Sequence, residues 1–175
     1  MKKILFILSI FFALFCFSSC EKDESLDPLP TIVSGQFVRL EPTNRLLAVQ
    51  HIEDTYFGGL LTNPGNTVVK YELFVRFTSE SGIVSQNYVP LLTITSFPYD
   101  LKITPQMLAT ALGKNVSDFK QSSKFNFLAY AYDANGNVTD YNSLSSTVKT
   151  QPGMKQAFKF LTKLESDITI LENPN

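Results

Sequence analysis

The 175-residue chain has no tryptophan, one histidine and two cysteines. Each shortage removes a class of function. One imidazole, His51, cannot build the three- or four-ligand sets that hold zinc. A Ser–His–Asp arrangement would also depend on His51, and no Gly-x-Ser-x-Gly elbow is present to offer a nucleophile. The Gly-rich phosphate loops and dinucleotide fingerprints are missing as well. Charge of one sign is also lacking: 15 Lys and Arg stand against 16 Asp and Glu, a formal net charge of −1. That balance excludes a nucleic-acid binder driven by a basic surface. With 8 Gly and 9 Pro and no G-X-Y period, the chain is not collagen-like, and 44% hydrophobic residues exclude general disorder.

What is there begins at the N-terminus. Lys2 and Lys3 precede Ile4–Phe17, a run of 14 residues that is apolar except for Ser9. A spanning helix needs about 20 apolar residues, so the run reads as the hydrophobic region of a secretory signal. Phe17-Ser18-Ser19-Cys20 follows. This tetrad resembles the lipobox of bacterial lipoproteins, with Phe17 where Leu is usual. The resemblance implies cleavage before Cys20, a diacylglyceryl group on its thiol and an acylated new amine. Cys16 leaves with residues 1–19, so Cys20 would be the only cysteine of the mature chain and no disulfide can form. Each buried methylene of the acyl chains contributes about 0.8 kcal/mol, and two or three chains give stable anchoring to membrane lipid. Losing Lys2 and Lys3 leaves 13 cationic and 16 acidic residues, a mature charge of −3.

Glu21, Lys22, Asp23 and Glu24 come next, followed by the Pro-containing stretch to Pro30. The cluster resembles the export signal of Bacteroidota-type surface lipoproteins, which implies display on the outer face of the outer membrane. Charge and proline also make residues 20–30 an extended tether.

From Thr31 to Leu164 the sequence reads as one domain, with residues 165–175 as a tail. Val68–Thr78 alternates strictly: Tyr71, Leu73, Val75 and Phe77 fall on one face, Lys70, Glu72 and Arg76 on the other. Asn63-Pro64-Gly65-Asn66 before it is a turn. Ile83–Val89 is expected as its antiparallel neighbour, with shorter strands at Leu91–Thr95 and Asp100–Ile103. Lys124–Tyr132 alternates with both faces largely apolar or aromatic, which suits a central strand in a packed sandwich. Met154–Leu164 fits helical or strand periodicity, and Pro152-Gly153 favours the strand. One short helix is expected near 104–113, with Thr104 as N-cap, Pro105 at its first position and Gly113 just past its end. Asp133-Ala-Asn135-Gly136-Asn137-Val-Thr139-Asp140 has alternating oxygen ligands, as calcium loops do. Gly136 stands fourth and Leu144 twelfth, however, where the EF-hand requires sixth-position Gly and twelfth-position Glu; a hairpin turn accounts for every residue.

These elements predict an all-β fold, a single antiparallel β-sandwich. The run Phe125–Thr139 is similar to the last hairpin of bacterial immunoglobulin-like and fibronectin III-like domains, which implies that architecture. Without a cysteine pair or Trp, an antibody-type domain is excluded. In layout, the lipobox, acidic tether and sandwich resemble the accessory lipoproteins of SusC/SusD-type nutrient uptake systems. That resemblance implies a surface protein binding a glycan or outer-membrane transporter proteins; with no catalytic constellation, metal set or cofactor motif among the residues, a non-enzymatic role without catalytic residues, metal or cofactor is expected. Adhesion or envelope assembly through edge strands is the alternative. Glycoside hydrolysis would need a carboxylate pair about 5–10 Å apart, and the sequence places none. Candidate ligand contacts are Tyr56, Tyr88, Tyr99 and Tyr141, near expected loops and able to stack on a ligand in place of Trp.

Overall fold

The computed structural model describes residues 35–44, 47–48, 52–85 and 87–165. Cys20, the Glu21–Glu24 cluster, His51 and the tail beyond 165 lie outside them. All described residues belong to one compact unit.

Two sheets account for most of this unit. The smaller runs β1 (Arg39–Asn44), β3 (Phe57–Thr62) and β6 (Tyr99–Ile103), all antiparallel. The larger runs β2 (Leu47–Ala48), β9 (Lys159–Glu165), β7 (Lys124–Tyr132), β4 (Lys70–Thr78) and β5 (Val89–Ile94). Its pairs are antiparallel except β2 with β9. β8 (Val138–Thr139) also pairs with β7.

β4 and β7 are the central pair, matched over nine residues from Lys70 opposite Tyr132 to Thr78 opposite Lys124. Alternation explains why they are strands: Tyr71, Leu73, Val75, Phe125, Phe127, Ala129 and Ala131 are buried, and their sequence neighbours are not. Phe57 of the smaller sheet joins the two layers. Its ring stacks 5.8 Å from Phe127 and 5.7 Å from Phe160, which lie 4.9 Å apart. Such aromatic pairs contribute about 0.5–1.5 kcal/mol each beyond the area they bury. A second cluster, Phe77, Phe119 and Phe125, closes one end of the core.

Tyr71 is buried in β4, and its hydroxyl donates to the Ala157 carbonyl. Burial pushes its phenol above the ordinary range. Ala157 N–H donates in turn to the Val38 carbonyl, and Leu40 N–H to that of Lys155. Residues 155–157 therefore bond to the start of β1 before the chain enters β9 in the other sheet.

β8 and β9 occupy the same edge of β7. Thr139 lies opposite Ala131, so a continuous strand would set residue 142 opposite Leu128; the chain places Lys159 there. The strand position beside β7 is thus broken by an excursion of residues 140–158. The Ala129 N–H to Phe158 carbonyl bond resumes the ladder.

Two expectations need correction. The partner of β4 is Val89–Ile94, not Ile83–Val89. Ile83 is 72% exposed, and only Val84 bridges back, to Thr78; an apolar pair at a loop tip looked like a strand. The expected helix is present as α1 (Pro105–Leu112), with the Thr104 hydroxyl accepting from Met107 N–H and Gly113 left-handed at φ 63°. It is not the sole helix, because the excursion contains α2 (Ser146–Thr150), capped by the Ser145 hydroxyl. β7 takes the central position expected of it, between β9 and β4. Asn126, Leu128, Tyr130 and Tyr132 are only half-buried. The 154–164 segment resolves as a strand over its second part, with Thr162 and Leu164 inward.

Candidate functional site

The face of the larger sheet that points away from the core holds the chemistry. Strand alternation that sends Tyr71, Leu73 and Val75 inward sends Lys70, Glu72, Phe74 and Arg76 outward. β7 contributes Lys124, Asn126, Leu128, Tyr130 and Tyr132 to the same face; β9 contributes Lys159, Leu161, Lys163 and Glu165. Cross-strand register sets them in tiers. Tyr132 is opposite Lys70, Tyr130 opposite Glu72, Leu128 opposite Phe74 and Lys159, and Asn126 opposite Arg76 and Leu161.

Two parts of this face differ electrostatically. At one end the charges are matched. Glu72 accepts from the Tyr132 hydroxyl at 2.7 Å and from Lys70 Nζ at 3.1 Å, and Lys70 Nζ sits 3.8 Å above the Tyr132 ring. The Tyr132 hydrogen bond, with help from Lys70, holds the Glu72 carboxyl below the usual carboxylate range. The same hydrogen bond pushes the Tyr132 phenol up to about 12.

At the other end the cations have no carboxylate. Among the described residues, Arg76, Lys124 and Lys159 lie within ion-pair distance of no Asp or Glu, and Lys163 contacts Glu165 at 3.5 Å. Arg76 instead lies 4.7 Å from the Tyr88 ring, and its Nε is shielded from solvent without a hydrogen-bond partner among the described residues. Lys159 Nζ is 5.1 Å from the Tyr141 ring, with Lys149 Nζ at 5.2 Å. Between these cations lie apolar groups: Leu161, 59% exposed, then Leu128 and the edge-to-face pair Phe74–Tyr130, ring centroids 5.6 Å apart.

The four tyrosines chosen from sequence therefore separate. Tyr88 and Tyr141 touch cations of this face and form part of its rim. Tyr99 belongs to the smaller sheet, and Tyr56 immediately precedes its strand β3. Tyr56 lies beside Lys102, whose Nζ is 5.8 Å from its ring, and Tyr99 opens β6 opposite Leu61. Sequence reasoning passed over Phe74, Leu128, Tyr130, Tyr132 and Leu161. Phe74 was the available signal: it breaks the charged series Lys70, Glu72, Arg76 on a face that should be polar throughout.

The remaining features offer no competing chemistry. Asp133 Oδ1 accepts from the backbone N–H groups of Asn135 and Asn137, Oδ2 accepts from Asn137 Nδ2, and Gly136 has φ 83°. The carboxylate is used in shaping the hairpin turn. Among the described residues, no group of three or more His, Cys, Asp or Glu lies close enough to hold a metal ion. A groove of about 440 Å³ between β5 and α1, lined by Pro90, Leu91, Thr104, Gln106, Met107, Thr110 and Ala111, contains no titratable side chain. No described helix is long and apolar enough to cross a membrane. Comparison with family models, curated proteins and solved structures returns no match.

Proposed function

We propose that the chain is a lipid-anchored binding protein of the outer membrane, a non-enzymatic accessory of a nutrient uptake complex. Its ligand is a glycan, held on the outward face of the larger sheet. The observation that carries this reading is the row of half-buried aromatic and apolar side chains, Phe74, Leu128, Tyr130 and Tyr132, on that face. Aromatic rings without a covering layer among the described residues, bordered by polar groups, suit the flat apolar faces of sugar rings. The N-terminal signal, Cys20 and the acidic tether support delivery to the cell surface, where such a face meets polymeric nutrients.

An immunoglobulin-like sandwich is the fold within this reading. Strand order supports it: β1, β3 and β6 take the positions of strands A, B and E, β4 and β7 those of C and F, and β8 with β9 that of G. The rival reading, adhesion or envelope assembly by edge pairing, draws less support. Edge strand β5 contains Pro90, which has no N–H to offer, and edge strand β6 exposes the ion-paired Asp100 and Lys102.

Two experiments test the proposal. The mature lipoprotein in detergent is offered a panel of insoluble polysaccharides, beside Phe74→Ala and Tyr130→Ala variants whose melting confirms the fold. Retention by at least one polysaccharide, lost in both variants, is expected; retention by none sinks the glycan reading. Protease shaving of intact cells is then compared with a chain carrying Asp23→Ala and Glu24→Ala. Native chain cut and variant protected is expected, whereas protection of both places the domain in the periplasm and moves envelope assembly to the front.

A further inference from the structure

Charge on the proposed glycan face is at odds with charge on the whole chain. The chain carries a formal net charge of −1, yet this one face presents Lys70, Arg76, Lys124, Lys159 and Lys163 against Glu72 and Glu165. Lys70 is matched by Glu72 and Lys163 by Glu165. That leaves Arg76, Lys124 and Lys159, one on each of three adjacent strands.

Register sets their spacing. Lys159 stands at the level of Leu128, Arg76 at that of Asn126, and Lys124 one level further. Successive levels on one face are roughly 7 Å apart and adjacent strands about 4.8 Å apart. The three cations therefore descend the face in steps, with Leu128, Leu161 and the Phe74 ring among them. Tyr88 and Tyr141 stack on two of the three and limit where those side chains can swing.

Resting on the glycan reading above, we infer that the ligand is an acidic polysaccharide, a chain whose sugar rings bear carboxylates. Its rings lie on Phe74, Leu128 and Tyr130, and its carboxylates meet Lys159, Arg76 and Lys124. A neutral glycan would cover the same rings but would strip water from three cations and give them no partner, an uncompensated cost. The spare cations thus discriminate in favour of the acid.

Binding of the detergent-solubilised mature chain is measured to polygalacturonate, to its fully methyl-esterified form, and to a single-stranded DNA oligonucleotide. Esterification keeps the rings and removes the charge. Polygalacturonate is expected to bind at least about tenfold more tightly than the ester, each exposed ion pair being a modest contributor. The preference should shrink as salt rises from about 0.05 to 0.3 M. Lys124→Gln with Lys159→Gln should erase it; both side chains are exposed, so melting should be unchanged. Equal binding of acid and ester, or binding of the ester alone, overturns this inference and leaves the glycan reading standing. Failure of both polymers and of every neutral polysaccharide overturns the two together. DNA bound as tightly as polygalacturonate, with the same loss in the double variant, makes the face a general polyanion binder and also overturns the inference.

Discussion

Tyr71 carries an unusual share of the fold on one atom. Its ring fills the core of the central strand, and its hydroxyl fixes the Ala157 carbonyl, whose own N–H is tied to the first strand. Tyr71→Phe keeps the ring and leaves a buried carbonyl under-satisfied. A loss of about 1–3 kcal/mol in urea unfolding is expected, with little change in the denaturant slope. Glu72 gives a pH signature. Its carboxyl is held below the ordinary 4.5, so its contribution is complete above that value and fades as pH falls through the depressed one. Tyr132 is displaced the other way, to about 12, so its contribution is complete below 10 and fades as pH climbs toward 12. Glu72→Gln should weaken the acid dependence of melting and bring the Tyr132 phenolate absorbance transition back toward 10. An unshifted transition would show that the 2.7 Å hydrogen bond does not hold in solution.

At the scale of elements, β3 has the least room. A Cβ at Gly58 would run into the Leu101 carbonyl of β6, and one at Gly59 into the Glu41 carbonyl of β1. Gly59→Ala must push backbone aside, and a cost of at least about 1–3 kcal/mol follows from overpacking. Thermal melting of the variant measures it, and an unchanged midpoint would mean that β1 shifts freely. Elements also differ in how far sequence exposes them. β4 and β7 were legible because strict alternation with one buried face leaves a single solution. The helix start at Thr104 and Pro105 and the turn at Gly136 were legible because each residue has a local physical role. β5 was expected as a short strand at Leu91–Thr95, but the partnership with β4 went to Ile83–Val89, because Pro90 reads as a break while the exposed Ile83-Val84 reads as a strand. The break between β8 and β9 is a matter of register against β7, which no local pattern records. The site suffered from a related ambiguity. Apolar residues on both faces of β7 fit a second packed layer as well as an open aromatic platform, and only the half-buried state of Tyr130 and Tyr132 separates the two.

For the molecule as a whole, an aromatic stack links the two layers. Phe57 reaches from the smaller sheet to stack on Phe127 and Phe160 of the larger. Phe57→Ala should cost about 3–5 kcal/mol and loosen the smaller sheet first. Hydrogen exchange resolves this: amides of β1, β3 and β6 should lose protection ahead of β4 and β7. Uniform loss would mean that the sheets open together.

The broken strand beside β7 bears on how such a protein could change over generations. β8 and β9 keep their places on β7 whatever length of chain runs between them, because each half is fixed by its own hydrogen bonds. Residues 155–157 are committed to β1, but the stretch from Asp140 to Gly153 joins no sheet. Insertions and deletions there leave every strand register intact, and the same stretch supplies Tyr141 to the rim of the outward face. Lineages descended from this fold can thus trade one rim for another while inheriting the platform unchanged.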